Sequence, residues 1–396
     1  MSTAAARTPD RPNDPIAAVT HRDPYPYYAE LVATRPVHRD EALGLWVACS
    51  AAAVTDVLGH PACLVRPPAE PVPGALLGSS AGAIFGRLVR MNDGARHAAM
   101  KPAVSAATAR IEASVGEQAR HWAEHLVKEL EPTRDGARLN EFAFSLSSYV
   151  FAGLLGVAPG QLAHTAALVR AFAESIAPAA TSERLARGTA AASQMLEAVR
   201  ALLDARGRTS PLTLLGDLDR EVASAGRAER EDVVANGIGL LSQAYEATAG
   251  LIGNTLVTLG RHRPHGARRT DLGELAAVVR EVVRYDPPVQ NTRRFVARDA
   301  TVAGHAMKAG DVVLVVLAAA NRDPMANPEP SRFDPLRPAR QVFTFGSGPH
   351  ACPGEAIATA IAVAGVRELL GSGVEPERFA AEVTYRSSAN TRVPIF

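Results

Sequence analysis

The chain has 396 residues, with 42 Lys and Arg against 41 Asp and Glu for a formal charge of +1, which argues against a whole-protein electrostatic hold on nucleic acid or an anionic membrane. Its 3 cysteines form no CxxC pair, so they exclude a disulfide scaffold and a structural zinc site and point to a reducing, cytoplasmic setting. At 47% hydrophobic and 21% charged residues the composition is that of a globular protein.

Residues 1–20 read as a flexible tail, too interrupted by Pro and charge to be a secretory signal. No linker or repeat divides residues 21–396, which are expected to form a single domain. Leu45 to Cys49, after Gly44, reads as a strand, and residues 67–83 concentrate Pro, Gly and Ser as an irregular loop. Most of 93–286 carries helical period: Val115, Ala119, Trp122, Leu126 and Leu130 share one face. Residues 261–269 are a basic run, either a solvated connection or a docking patch for an acidic partner. Further strands are expected at Thr301 to Ala303, Val312 to Leu317 and Arg392 to Phe396. The longest strictly apolar run, Val312 to Ala320, falls short of the roughly 20 residues a bilayer requires. The fold class is mainly α with a small β-sheet part.

Three features carry chemistry. Between Asp232 and Arg261 the only charge is Glu246, at the middle of a helix that would cross the core. Burying an unpaired carboxylate costs several kcal/mol or raises its pKa, which suits a group that hands protons on. The alternative is a Glu satisfied by a buried Arg, and this segment alone leaves both open. Gly237, Gly239, Gly250 and Gly253 in the same helix each cost about 1 kcal/mol against Ala, which close approach of a ligand or tight helix packing would justify. Second, Glu281 and Arg284 lie three apart on one face of a helix that Pro287 and Pro288 end. Third, Phe343-Thr-Phe-Gly-Ser-Gly-Pro-His-Ala-Cys352-Pro-Gly-Glu runs into an Ala-rich helix from Ala356 to about Leu370. Unpaired N–H groups and the helix dipole favour a thiolate there. His350 would point away from Cys352, which disfavours a Cys–His nucleophile, and Cys49 and Cys63 offer no zinc spacing; one axial thiolate to a haem iron fits what is left.

The run Phe345-Gly-x-Gly-x-His350-x-Cys352-x-Gly354, preceded by Glu281-x-x-Arg284, resembles the cytochrome P450 family of haem-thiolate monooxygenases. The resemblance extends from about Asp23 to Phe396 and includes Asp23-Pro-Tyr-Pro-Tyr-Tyr, the helix start Asp93 to Val104, the long central helix, Asn321-Arg-Asp-Pro324 and Pro328-Glu-Pro-Ser-Arg332-Phe333. It implies the P450 fold in a single haem domain, with haem b as cofactor and Cys352 as its axial ligand. It implies cofactor contacts from Phe345 and Gly354, propionate contacts from His97, Lys101, Arg294 and His350, and a buried charge network of Glu281, Arg284 and Arg332. Lys101 stands where Arg is more usual and would act as a point charge rather than a fork.

In the family's central helix an acid is followed by threonine. Here Glu246 is followed by Ala247, and Thr248 comes one place late, rotated about 100° away. The three are the candidate catalytic positions. A substrate hydroxyl or ordered water could supply the missing group, Glu246 or Thr248 could suffice alone, or the reaction could be a one-electron oxidation. The substrate pocket is expected between the 65–91 loop, Leu240, Leu241, Ala244, the segment Val289, Gln290, Asn291, Thr292, and Ser388, Ala389 and Asn390. Gln290, Asn291 and Asn390 hint at a substrate with polar groups.

The resemblance implies a soluble, monomeric, bacterial-type enzyme that inserts one oxygen atom from O2 into a small organic molecule, free or carrier-bound, in secondary metabolism. Separate ferredoxin and ferredoxin reductase would supply electrons, the length leaving no room for a fused reductase. Competing readings are phenol coupling, dehydration or peroxide-driven oxidation, favoured by Ala247, and a Cys-ligated haem sensor, against which Glu246 argues.

Overall fold

The computed structural model describes residues 11–177, 180–205, 213–226, 228–262, 271–380 and 383–396. The N-terminal part alternates α1 (Tyr25–Thr34), β1 (Val37–Asp40), β2 (Leu45–Ala48), α2 (Ala51–Gly59), β3 (Cys63–Leu64) and α3 (Ser80–Phe85). A helical body follows: α4 (Gly94–Leu130), α5 (Gly136–Leu155), α6 (Leu162–Ser175), α7 (Ser182–Asp204), α8 (Leu214–Ala225), α9 (Arg230–His262) and α10 (Leu272–Tyr285). The chain closes with β4 (Thr292–Val296), β5 (Ala300–Val302), β6 (His305–Met307), β7 (Val312–Val315), α11 (Leu317–Asn321), α12 (Glu355–Gly371), α13 (Pro376–Ala380), β8 (Thr384–Tyr385) and β9 (Pro394–Ile395).

The helix starts are chemically marked. Side-chain oxygens of Ser50, Asp135, Thr181, Thr213 and Asp271 each accept a backbone N–H in the first turn of α2, α5, α7, α8 and α10. Helix α9 has 33 residues, about 50 Å at 1.5 Å per residue. It packs against α5, α10, α12 and α13, so nearly every residue from Asp232 to Leu259 is buried.

Five strands form the main sheet in the order β1-β2-β7-β4-β3, all antiparallel except β2 with β7. The mainly α expectation holds; β2, β7 and β9 fall within the expected strand regions, and β5 overlaps one, starting a residue early. Strands β1, β3, β4, β6 and β8 are additional; they are short, and β3 and β8 have two residues each. Ser79 caps α3 by accepting the Gly82 N–H, so part of the expected 67–83 loop is helical.

The expected tail ends earlier than residue 20. Residues 1–10 lie outside the described residues, but Ala17–Thr20 form a helical turn in which Ala18 and Val19 are fully buried. The cause is Arg392, itself fully buried. Its Nε donates to Asp286 Oδ1 at 2.8 Å, and its remaining N–H groups donate to the carbonyls of Val19, His21 and Arg22 at 3.1, 2.6 and 3.1 Å. A buried guanidinium needs acceptors for all its donors, and the N-terminal backbone provides them. Of the basic run, 263–269 lies outside the described residues.

Candidate active site

Residues 343–355 form a tight loop before α12. Gly346 (φ +69°) and Gly348 (φ +67°) occupy the left-handed region, which a side chain would strain. The Gly346 N–H donates to Phe343 O at 2.8 Å, and the Cys352 N–H returns to Phe345 O at 2.8 Å. The half-buried Phe345 packs against the main core. Gly354 precedes α12, and its N–H points at Cys352 Sγ at 3.4 Å. The sulfur is thus aimed by backbone, and it is exposed. Surrounding protein pushes its thiol up, against the Gly354 N–H and the Lys101 charge, which pull it down. Cys352 and Pro353 also border a groove of about 990 Å³ that runs between Gly116 and Arg120 on α4, Arg280 on α10 and Ala360 on α12.

The loop is fastened to α10 from behind. Asn321 accepts the Phe343 N–H at 2.6 Å and donates to Thr344 Oγ1 at 2.8 Å, and the Thr344 hydroxyl donates to Val283 O at 2.6 Å. One turn away, Glu281 and Arg284 are both fully buried, with Arg284 Nη2 2.6 Å from Glu281 Oε1. Burial alone would push Glu281 up, yet the bonds from Arg284 and Arg340 hold it below the ordinary carboxylate range. Arg340 Nε donates to Glu281 Oε2 at 2.8 Å, and Arg337 Nε lies 3.5 Å from Oε1. Arg332, expected in this network, is 62% exposed and pairs with Glu329 and Asp334. Its part is played by its carbonyl, which accepts from Arg284 Nη2 at 3.1 Å. The reason is reach: the chain turns after Phe333 and brings the longer-range guanidiniums of Arg337 and Arg340 over the carboxylate.

The other cofactor candidates gather at the start of α4. His97 is buried, its ring 4.2 Å from that of His350, and its Nε2 has no partner. Burial, then the neighbouring His350 and Lys101, pulls its pKa down. His350 Nε2 lies 3.0 Å from Asp93 Oδ1, and the other Asp93 oxygen accepts the Val65 N–H at 3.0 Å. Lys101 Nζ donates to Ala351 O, next to the cysteine. Arg294 on β4 is buried, with Nη1 bonded to Thr292 Oγ1 and Arg293 O and Nε without a partner. Arg66, absent from the expected set, lies over the rings of Phe85 and Phe295 at 5.6 and 5.7 Å and also has a buried Nε without a partner. Asp93 and Arg66 were missed for different reasons. Asp93 reads as a helix start, and Arg66 sits in a loop where only β3 pairing brings it near β4.

On α9 the half-buried positions Leu240, Gln243, Ala244 and Ala247 follow i, i+3, i+4, i+7 spacing and form one stripe. Leu241, expected with them, turns into the core, and Thr248 is buried with its Oγ1 unpartnered. Each is displaced by about 100° from its stripe neighbour. Glu246 is one-third exposed: Arg386 Nη1 lies 3.2 Å from its Oε1, and the Thr391 hydroxyl donates to its Oε2 at 3.1 Å. Gln290 and Asn291 are buried: the Gln290 amide donates to Pro287 O at 2.7 Å and leaves its Oε1 without a partner, and the Asn291 amide donates to Ala389 O at 2.9 Å, strapping the C-terminal segment in place. Val289, Thr292 and Ala389 are half-buried and Asn390 is exposed. The α9 glycines serve packing: a Cβ on Gly250 would lie 2.8 Å from Pro288 Cβ, and one on Gly239 2.6 Å from Leu88 Cδ2.

No group of three or more His, Cys, Asp or Glu among the described residues could hold a metal ion. What these residues do fit is a flat, dianionic cofactor carrying one metal: a single open sulfur, with the unpartnered Nε donors of Arg294 and Arg66 and the unpartnered His97 Nε2 grouped around the adjoining start of α4 and the β3–β4 pair. Fold and donor set together are in kind those of a haem-thiolate protein's binding site. The sequence model described as Cytochrome P450 matches residues 233–369. Cytochrome P450 monooxygenase PikC of Streptomyces venezuelae is 29% identical over 88% of this chain and 83% of its own. The crystal structure of CalO2 superposes with a TM-score of 0.80 at 26% identity, covering 96% of each chain. P450BioI, crystallised in complex with hexadec-9Z-enoic acid ligated acyl carrier protein, has a TM-score of 0.80 at 23% identity over 94% of this chain and 97% of that one. The family model, the relatives and the fold thus all liken this chain to the cytochrome P450 monooxygenases.

Proposed function

We propose that the chain holds haem b through the Cys352 thiolate and inserts one oxygen atom from O2 into a small organic molecule, free or carrier-borne, in secondary metabolism. The observation that carries this reading is the open Cys352 sulfur beside two guanidinium groups, Arg66 and Arg294, whose buried Nε donors lack partners. Bound haem supplies the redox chemistry of oxygen activation. The protein groups hold and tune it. The Gly354 N–H donates to the sulfur and limits its electron donation, the loop's ties to α10 fix the sulfur's position, and His97, Arg294 and Arg66 take the carboxylates. His350, held by Asp93, backs the His97 ring. Leu240, Gln243, Ala244 and Ala247 would wall the substrate side, with Glu246 as the proton-handling acid.

Electrons would come from a ferredoxin and its reductase, the enzyme working as a cytoplasmic monomer. Among the described residues no helix is long and apolar enough to cross a membrane. The P450BioI neighbour, caught with an acyl carrier protein, supports testing carrier-borne as well as free substrates.

The test has two parts. The reduced carbon monoxide complex should show the red-shifted Soret band of thiolate-ligated haem, lost in Cys352→Ala, and a substrate panel should then be read by spin-state shifts. Ala247 on the open stripe favours a second reading, phenol coupling, dehydration or peroxide-driven oxidation. Labelled O2 separates the two, because only the first reading puts the label in the product.

A further inference from the structure

Oxygen insertion leaves the second oxygen atom as water, so protons must reach the interior of the molecule. Helix α9 offers no hydroxyl at the open position after Glu246, since Ala247 stands there and Thr248 is buried in the core. A hydroxyl does reach Glu246, from 145 residues away. The Thr391 hydroxyl donates to Glu246 Oε2 at 3.1 Å, and Ser388 Oγ lies 2.8 Å from Thr391 Oγ1. The Thr391 proton is committed to the carboxylate, so Ser388 is the donor when its one proton turns to Thr391 rather than to Asn390 Oδ1, which lies 3.4 Å from Ser388 Oγ. In that rotamer the row runs from Ser388 to Thr391 to Glu246, starting at a half-buried serine beside exposed Asn390.

The segment is fixed on both sides. Ser388 Oγ accepts the N–H of Thr391 at 3.0 Å and of Asn390 at 3.3 Å, and the Gln290 N–H donates to Asn390 O at 2.8 Å. Thr391 pairs with Val289 in an isolated β-bridge. The other Glu246 oxygen faces Arg386, which also lies 3.5 Å from Glu174 on α6, and Glu174 in turn pairs with Arg170 and Arg187. The carboxylate is thus gripped by a cation on one oxygen and fed by a hydroxyl row on the other.

We propose that Ser388 and Thr391 form the proton route to Glu246, supplying from the C-terminal segment the alcohol that Ala247 lacks. This rests on the monooxygenase reading above. Each transfer balances: Thr391 passes its hydroxyl proton to Glu246 Oε2 and takes that of Ser388, and Ser388 is reprotonated by water. One O–H bond forms at Glu246 and one breaks at water, with no change of oxidation state. Thr391 is a positioning and relay residue through Glu246.

The test compares Thr391→Val, which keeps shape and removes the hydroxyl, with Thr391→Ser, which restores it, on the full-length haem protein. Product formed per reducing equivalent consumed should fall roughly tenfold in Thr391→Val, recover in Thr391→Ser, and recover when Ala247→Thr is added to Thr391→Val. Independently of turnover, the carboxylate stretch of Glu246, isolated in the infrared by subtracting Glu246→Gln, should shift in Thr391→Val and return in Thr391→Ser. Ser388→Ala should lower the same product yield while leaving that band in place, and it serves if Thr391→Val fails to fold. Unchanged yield in Thr391→Val or Ser388→Ala, or failure of Thr391→Ser to recover it, overturns the route alone. Absence of labelled oxygen in the wild-type product overturns the monooxygenase reading, and the route with it.

Discussion

Two glutamates in two helices make the clearest contrast in this molecule. Glu281 on α10 is fully buried and receives guanidinium groups from Arg284, Arg337 and Arg340 together with the Asp334 N–H. Glu246 on α9 is one-third exposed and receives one guanidinium and one hydroxyl. The first arrangement leaves the carboxylate no freedom and no route to water, so it fits a fastening between α10 and the segment that leads into the cysteine loop. The second leaves a carboxylate with one partner on each oxygen and partial contact with solvent. Charge count alone would not separate them; the number and kind of partners does.

The largest effect should come from breaking the first arrangement. Glu281→Gln leaves buried guanidiniums without their counter-charge and should cost about 3–5 kcal/mol, read by chemical denaturation together with loss of the thiolate-type carbon monoxide spectrum. The pH dependence has a defined sign. Because the Glu281 carboxyl is held low in the folded state, its contribution is complete above the ordinary carboxylate value, about 4.3, and is lost as pH falls through the lower folded value. Glu281→Gln should therefore show a shallower acid limb than the wild type.

Arg340→Ala removes one charge-assisted bond to the same carboxylate and should cost about 2 kcal/mol by the same denaturation measurement. Gly250→Ala forces a Cβ against Pro288 and should cost about 1–3 kcal/mol while leaving the haem spectrum unchanged; a changed spectrum with unchanged stability would show that the glycine serves the cofactor instead. Smallest on stability are Arg332→Ala and Glu246→Gln, each under about 1 kcal/mol because the Arg332 pair is solvent-exposed and the Glu246 pair partly so. The comparison sharpens there, since Arg332→Ala should keep full product yield and Glu246→Gln should lose most of it.

How much of this was legible in the sequence depends on chain distance. The cysteine loop, Glu281 with Arg284, and the lone Glu246 are each readable because their decisive neighbours lie within a few residues. Arg340 was not, because its nearest signal was a generic basic position 59 residues from Glu281, while the more conspicuous Arg332 lay closer in sequence and turned outward. Asp93 read as a helix start, although its carboxylate also holds His350. Gln290 and Asn291 read as pocket polarity, although their amides are spent on neighbouring carbonyls.

Local physics in the sequence settled the helices, the aimed sulfur ahead of α12 and the one charge in the middle of α9. Periodicity, capping and glycine conformation act over a few residues. Tertiary structure alone decided which arginines complete the Glu281 site, that the α9 glycines accommodate Pro288 and Leu88, that the N-terminal backbone caps Arg392, and that Thr391 reaches Glu246. The reason is common to all four. A buried charge or a close helix contact accepts whichever group the folded chain brings within about 3 Å, and hydrogen-bond reach carries no memory of separation along the chain.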